Sequence, residues 1–259
     1  PASGTAALWH EGCFPLPRNM LPLQDTVPGR HPPVAVLGLI LVNSAVFLVE
    51  LALPEETLER VFRLFGVVPA GLAEEPARWG SLVTHIFLHG GWMHVLGNLW
   101  TLWIFGDNVE DRMGTRRFLV FYFLCGLAAG VVHCLLNPGS TVPTIGASGA
   151  ISGVMGAYFL LFPRARLILM MPVLFYPVFF ELPAFTYLAY WLATQILSGT
   201  VTTLLAPEQT GGVAWWAHVG GFAAGVFLHR FFIRRGRSWR RYQPDECWIE
   251  GAWTYAPRR

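Results

Sequence analysis

Six long apolar segments constrain the fold of this 259-residue chain more than any other feature of its sequence. They cover about 34–53, 86–106, 117–136, 147–162, 183–205 and 213–233. A helix needs roughly 20 predominantly apolar residues to cross a bilayer, and only the fourth segment is clearly shorter, which suggests a helix buried among the others. The composition agrees, since 54% of the residues are hydrophobic and only 13% are charged. We therefore predict an all-α fold, a polytopic membrane helix bundle with six transmembrane helices.

The apolar segments divide the chain into three parts. Residues 1–33 are polar and proline-rich, and they predict an N-terminal tail without the pattern of a cleavable signal peptide. Residues 34–233 form the predicted six-span domain, and residues 234–259 form a basic C-terminal tail. Between the fourth and fifth segments, residues 165–182 are apolar but broken by prolines. This pattern favours an interfacial or re-entrant element over a seventh span.

Arginine placement predicts the orientation of the bundle, because cytoplasmic loops carry an excess of basic residues. Arginines occur in the turn 107–116, in the loop after the fourth segment and in the C-terminal tail, whereas the turn 137–145 is uncharged. Both termini are therefore expected in the cytoplasm. The net charge of +2, without a basic surface interleaved with aromatic residues, predicts no nucleic-acid partner.

Several polar side chains fall near the same end of the second, fourth and sixth spans. They are His85, His89, His94, Asn98, Ser148 and His218. Polar and ionisable groups inside spans are candidate functional residues, because burying them in a bilayer is costly. All three spans run in the same direction in the predicted topology, so Ser148 and His218 are expected at a similar depth.

Small residues favour a close contact between the fourth and sixth spans. Gly149 and Gly153 are four residues apart on the fourth span, and Ala217, Gly221 and Gly225 repeat the same spacing on the sixth. Small residues at this interval allow helix backbones to approach closely. The spacing therefore predicts that these two spans pack directly against each other.

Such a contact would allow Ser148 to hydrogen bond to His218, and a serine needs a base because its hydroxyl alone is a weak nucleophile. His94 and Asn98 lie on one helical face and can donate hydrogen bonds to a developing oxyanion. Backbone N–H groups at the start of a helix can do the same. Each feature also has a packing explanation, and His85 and His89 have the i,i+4 spacing of a metal or haem site. The residues alone support a serine hydrolase about as well as a metal site or a transporter.

Four motifs, in this order and spacing, resemble the rhomboid family of intramembrane serine proteases. They are "HGGWMHVLGN" (89–98), "FGDNVEDRMG" (105–114), "GASGAISGVMGA" (146–157) and "AHVGGFAAG" (217–225). The resemblance covers roughly residues 35–230. It implies a rhomboid-like bundle in which Ser148 is the nucleophile and His218 is the general base.

The resemblance also implies roles for the other site residues. His94 and Asn98 would be the side-chain oxyanion donors, joined by the backbone N–H of Ser148. The residues implied to be structural rather than catalytic are His85, His89, Glu110, Arg112, Gly146, Gly149 and Gly221. No metal and no cofactor is implied.

Two positions depart from the family pattern. Many members carry a bulky aromatic residue four positions after the nucleophile, where it stacks on the histidine, and this chain has Ser152 there. Some members have a Trp-Arg pair in the first external loop, whereas here Arg78 precedes Trp79. The packing of the histidine and of that loop is therefore expected to differ, although no catalytic group is lost.

The resemblance implies substrates that are single-pass transmembrane proteins, cut in or near their span within the lipid bilayer and after a small residue. The expected location is a bacterial inner (plasma) membrane. Two alternatives stay open. In the first, the chain is a non-catalytic rhomboid-like binder of transmembrane segments. In the second, it is a metal-dependent membrane protein that uses His85, His89, His94 and His218.

Overall fold

Helices dominate the computed structural model of the chain. It describes residues 24–27, 29, 31–72, 75–173, 176–205, 213–234, 246–249 and 252–255. The α-helices in these ranges are α1 (Val34–Ala52), α2 (Glu55–Phe65), α3 (Pro69–Leu72), α4 (Ser81–Thr84), α5 (Trp92–Met113), α6 (Thr115–Leu136), α7 (Ser148–Leu161), α8 (Ala184–Leu205) and α9 (Trp215–Phe232). Two 3₁₀ turns, Pro76–Gly80 and His85–Phe87, flank α4. The predicted tails 1–33 and 234–259 lie largely outside the described residues.

Three helices, α1, α6 and α8, are long and apolar enough to cross a membrane by length and composition. The helix α7 is apolar but has only 14 residues. The helices α5 and α9 correspond to the second and sixth predicted spans. The prediction of a helical membrane bundle is confirmed, and the number of spans stays a prediction.

A β-hairpin occupies the proline-broken segment between α7 and α8, where the sequence predicts an interfacial or re-entrant element. Its strands are β2 (Arg166–Val173) and β3 (Tyr176–Pro183), which pair antiparallel. Strand β1 (Gln24–Asp25) adds to β2, and β4 (Glu246–Ile249) pairs with β5 (Ala252–Tyr255) near the C-terminus. Proline disrupts helices but its fixed φ is compatible with extended backbone, which explains why this apolar run does not form a helix.

The short helix α7 lies at the centre of the bundle, in contact with α5, α6 and α9. Every residue from Gly149 to Tyr158 is buried. A helix surrounded by other helices does not have to match the bilayer thickness itself, so 14 residues suffice. This position agrees with the buried helix that the short fourth apolar segment suggests.

Glycines allow α7 and α9 to approach until their backbones touch. A Cβ added to Gly221 would overlap the carbonyl oxygen of Gly149, and one added to Gly225 would overlap the carbonyl oxygen of Gly153. Because the obstructing atoms are backbone atoms, no side-chain movement would relieve the overlap. The small residues at four-residue intervals are therefore a requirement of this helix pair.

A single residue, Gly114, connects α5 to α6, with a φ of 79° that favours glycine. The carboxylate of Glu110 lies beside this joint, buried at 3% exposure. It accepts hydrogen bonds from the backbone N–H groups of Ala35 and Val36, both at 3.0 Å, and from the hydroxyl of Thr115 at 2.8 Å. Glu110 thus caps the N-terminus of α1, which has no side-chain cap of its own.

The segment before α1 is attached to the same end of the bundle through Asp25 of β1. Its Oδ2 accepts hydrogen bonds from the hydroxyl of Tyr158 at 2.5 Å and from Nδ2 of Asn108 at 2.7 Å. Burial raises the pKa of Asp25 well above its usual range. The strand β1 is therefore held by side-chain contacts with α5 and α7 as well as by its pairing with β2.

Candidate active site

Ser148 and His218 lie within hydrogen-bonding distance at one end of the bundle. Ser148 is the first residue of α7, and His218 belongs to the first turn of α9. The distance between Oγ of Ser148 and Nε2 of His218 is 2.8 Å. The glycine contacts between the two helices account for this short distance across 70 residues of sequence. The structure thus brings together the two residues that the sequence predicts as nucleophile and base.

His94 and Asn98 lie on α5 and point their side chains towards Gly146, two residues before Ser148. A Cβ built on Gly146 would lie 2.5 Å from Nε2 of His94 and 3.7 Å from Nδ2 of Asn98. Within the part of the chain that the structure describes, the buried Nδ2 of Asn98 has no hydrogen-bond partner. The backbone N–H of Gly90 approaches Nδ1 of His94 at 3.4 Å, which leaves Nε2 as the nitrogen that carries a proton. Both side chains therefore present a donor to the same space.

Gly146 holds the backbone turn that leads into α7. Its φ is 120°, in a region that side chains disfavour, and its N–H donates to the carbonyl oxygen of His85 at 2.8 Å. Any side chain here would meet the ring of His94. Gly146 is thus required both by the backbone conformation and by the space that His94 and Asn98 face.

His85 and His89 hold the loop that precedes α5. Nδ1 of His85 bonds to the carbonyl oxygen of Ser81 at 2.9 Å, and His85 is buried. The backbone N–H of His89 donates to the carboxylate of Glu50 at 3.2 Å, and its Nδ1 lies 3.1 Å from the carbonyl oxygen of Phe87. These bonds are of the structural kind that the resemblance implies for both residues.

The histidines do not converge as metal ligands. Among the described residues, no group of three or more histidine, cysteine, aspartate or glutamate side chains has a geometry that could hold a metal ion. Nδ1 of His85 and Nδ1 of His89 bond to backbone carbonyls, and Nε2 of His218 bonds to Ser148. The structure therefore gives no support to the metal-dependent alternative.

Two residues of α8 complete the surroundings of His218, and neither is among the predicted site residues. Oε1 of Gln195 lies 2.8 Å from Nδ1 of His218, and the ring of Trp191 has its centroid 5.8 Å from that of His218. A lone glutamine in an apolar helix was the available signal, because polar groups in spans are rarely without a role. Its partner cannot be read from the sequence, since the two residues are 23 positions apart and lie on different helices.

Ser152, at the position where many family members have an aromatic residue, is buried and donates its hydroxyl to the carbonyl oxygen of Ser148 at 2.6 Å. The aromatic contact with His218 comes instead from Trp191 and, in an edge-on orientation, from Trp215 at 6.5 Å. The histidine is therefore packed by tryptophans from α8 and α9, which agrees with the expectation that its neighbours differ.

The helices and the hydrogen-bonded pair of half-buried Ser148 and buried His218 define the class of protein: an integral membrane bundle with a serine–histidine pair at one end of it. The family model of the rhomboid domain matches residues 76–235, which is more than half of the chain. The chain belongs to the rhomboid family.

Three relatives illustrate the range of similarity. The mitochondrial presenilin-associated rhomboid-like protein of Rattus norvegicus is 25% identical over 222 residues, which cover 81% of this chain and 51% of the relative. The RHOMBOID-like protein 5 of Arabidopsis thaliana is 36% identical over 95 residues, which cover 37% of this chain and 30% of the relative. The rhomboid protease GluP of Bacillus subtilis is 39% identical over 79 residues, which cover 30% of this chain and 15% of the relative. The chain thus spans about half or less of the length of these relatives.

Proposed function

We propose that this protein is an intramembrane serine endopeptidase that hydrolyses peptide bonds in or near transmembrane segments of membrane proteins. The observation that carries the proposal is the 2.8 Å hydrogen bond between Oγ of Ser148 and Nε2 of His218. A serine hydroxyl becomes an effective nucleophile when an adjacent base accepts its proton. Membership of the rhomboid family, which includes the rhomboid protease GluP, supports the same activity.

The reaction begins when Oγ of Ser148 attacks the carbonyl carbon of the scissile peptide bond while Nε2 of His218 takes the hydroxyl proton. The tetrahedral intermediate collapses, the C–N bond breaks, and His218 returns the proton to the leaving amine. Water then attacks the acyl-enzyme ester with His218 again as base. Ser148 is regenerated and the carboxylic acid product leaves.

The oxyanion of the tetrahedral intermediate is stabilised by Nε2–H of His94, Nδ2–H of Asn98 and the backbone N–H of Ser148. Both side-chain donors face the space beside Gly146, and N–H groups at the start of a helix lack intrahelical partners. Donors that are already oriented stabilise the developing charge without reorganisation, so they act mainly on kcat. Among the described residues, the Nδ2 donor of Asn98 has no hydrogen-bond partner, which supports this role.

We propose single-pass transmembrane proteins in the lipid bilayer as substrates. A peptide bond within a helix is hydrogen-bonded and shielded, so cleavage favours segments that unwind readily at glycine, proline or polar residues. We propose a bacterial plasma membrane with cytoplasmic termini as the location. The arginine distribution supports the orientation, and relatives from Bacillus subtilis are bacterial, whereas others are mitochondrial or chloroplastic by name.

The test uses the purified full chain in liposomes with a tagged single-pass substrate. Wild-type protein is expected to cleave the substrate and to react with a fluorophosphonate probe, whereas Ser148→Ala loses both reactions. Ser152→Ala is the matched control, because this second serine of α7 bonds to a backbone carbonyl rather than to a base. Cleavage that survives in Ser148→Ala would remove the nucleophile assignment. Substrate binding by the wild type without any labelling would favour the non-catalytic binder.

A further inference from the structure

We propose that Gln195 of α8 is a positioning residue that fixes the tautomer and the ring orientation of His218. The inference rests on the proposed function and deepens it, because it gives the serine–histidine pair a third, neutral partner. Gln195 is 5% exposed, and its Oε1 lies 2.8 Å from Nδ1 of His218. The imidazole is therefore held by hydrogen bonds at both of its nitrogens.

The hydrogen bonds of the glutamine define which way its amide points. Nε2 of Gln195 lies 3.2 Å from the carbonyl oxygen of Trp191 and 3.2 Å from Oγ1 of Thr194. The Thr194 hydroxyl donates its own hydrogen to the Trp191 carbonyl at 2.6 Å. Its oxygen is thus available as an acceptor. Both neighbours accept hydrogen bonds, so the amide nitrogen belongs beside them and the amide oxygen faces His218.

This orientation determines where the proton of a neutral His218 resides. An amide oxygen only accepts hydrogen bonds, so Nδ1 of His218 must carry the hydrogen. Nε2 is then left with a lone pair that points at the hydroxyl of Ser148. That tautomer is the one that a general base needs, and the other tautomer would present a donor to Ser148 instead.

A second contact from the same helix restrains the ring of His218. Trp191 lies four residues before Gln195, on the same face of α8, and its ring is inclined by 36° to the imidazole. The helix α8 therefore supplies both a hydrogen bond in the plane of the imidazole and an apolar neighbour to the ring.

A neutral amide suits this position better than a carboxylate would. A buried carboxylate has a large desolvation cost in an apolar bundle unless it is fully paired, whereas the amide fixes the tautomer without adding a charge. The amide in turn stabilises the imidazolium form less than a carboxylate would. The titratable groups that act on His218 through space are His94 of α5 and His133 of α6.

The placement of Gln195 links the base to α8, the least buried of the three helices that are long and apolar enough to cross a membrane. Within the apolar window of each helix, 17% of the residues are buried in α8, against 33% in α1 and in α6. A movement of α8 away from α9 removes the bond from Gln195 and the contact with Trp191 together. The alignment of the base therefore depends on where α8 lies.

The test compares Gln195→Met, which keeps the length of the side chain without the acceptor, with Gln195→Glu, which keeps an acceptor. Thr200→Val is the control on the same helix, since Thr200 is exposed and donates its hydroxyl to the carbonyl oxygen of Ile196 in its own helix. We expect Gln195→Met to lower kcat about 10²-fold, the scale of general-base effects, with KM little changed. Gln195→Glu restores part of kcat and moves the acid limb of the kcat–pH profile to higher pH, because a carboxylate favours the imidazolium. Thr200→Val leaves kcat and the kcat–pH profile unchanged.

A second measurement follows the proton itself. Nitrogen-15 resonances of the histidine rings report which nitrogen is protonated, and a His218→Gln difference spectrum identifies this residue among the eight histidines. We expect Nδ1–H in the wild type and a mixture of tautomers in Gln195→Met. The positioning role would be overturned if Gln195→Met kept the kcat and the His218 tautomer of the wild type. If Ser148→Ala were inactive in the same experiment, the proposed function would stay intact. A wild type that neither cleaves nor labels would instead overturn the proposed function, while the spectrum still decides whether Gln195 sets the tautomer.

Discussion

The carboxylate of Glu110 accepts a 3.0 Å hydrogen bond from the backbone N–H of Ala35, across 75 residues of sequence. The same carboxylate bonds to the next N–H of α1. A buried carboxylate at a helix N-terminus satisfies donors that have no partner within the helix and opposes the positive end of its dipole. The acidic residue at the end of α5 thereby fixes where α1 begins.

Glu110→Ala is expected to lower the free energy of unfolding by about 2–4 kcal/mol, because it leaves two buried N–H groups of α1 without an acceptor. Thermal unfolding in detergent measures the change. Glu59→Ala, at an exposed position of α2, is the control and should shift the midpoint little. Equal shifts for the two variants would contradict the capping role.

Gly225→Ala is expected to destabilise the bundle by about 1–3 kcal/mol or more, the range for overpacked cores. The added methyl group would overlap the carbonyl oxygen of Gly153, and the helices α7 and α9 would have to separate. Labelling of Ser148 by a fluorophosphonate should also decrease, because His218 moves away from Ser148 together with α9. Gly38→Ala on α1, where no atom lies within 4 Å of an added Cβ, is the matched control. Unchanged labelling and stability in Gly225→Ala would show that the helix contact is less tight than described.

Asn98→Ala is expected to lower kcat by roughly 10²–10³-fold, the effect of removing one oxyanion donor. KM should change little, because the hydrogen bond forms mainly in the transition state. Initial rates of substrate cleavage at several concentrations separate the two constants. Thr101→Val on the same helix is the control, because its hydroxyl bonds to the carbonyl oxygen of Gly97. A rise in KM with kcat unchanged would assign Asn98 to substrate binding instead.

Asp25 is expected to make stability fall as pH rises. Its pKa is raised in the folded protein by burial, so the folded state holds the proton more tightly than the unfolded state, in which the pKa is about 3.9. The contribution is therefore complete below that value and is lost as pH rises through the higher folded-state pKa. Thermal midpoints of the wild type and Asp25→Asn, recorded from below about pH 3.9 to above the folded-state pKa, measure this contribution. As pH rises, the thermal midpoint of Asp25→Asn should increase relative to that of the wild type. A difference that stays constant with pH would show that Asp25 does not titrate as described.

The sequence predicts the parts of the site that depend on local spacing. The small residues at four-residue intervals predict the contact between the fourth and sixth spans, and the structure places Ser148 and His218 together across it. His94 and Asn98 share a helical face because they are four residues apart. In each case the four-residue spacing along a helix, on one helix or on both partners, gives the arrangement.

The residues that sequence reasoning missed depend on contacts between distant segments. Gln195 is one of several polar residues in an apolar helix, and only the packing of α8 against α9 shows that it meets His218. The hairpin β2–β3 was not predicted as strands because its apolar run has no alternation that would separate a strand from a membrane-inserted segment. Its prolines excluded a helix without indicating what replaces it.

The pairing of β1 with β2 has a consequence for the order in which the chain is completed. Gln24 lies opposite Ile168, with the helices α1 to α7 between them in the sequence. During synthesis, the two residues of β1 therefore wait for their β-sheet partner until all seven intervening helices have left the ribosome. The pairing of β1 with β2 therefore cannot form until the chain has been synthesised as far as β2, which follows the central helix α7.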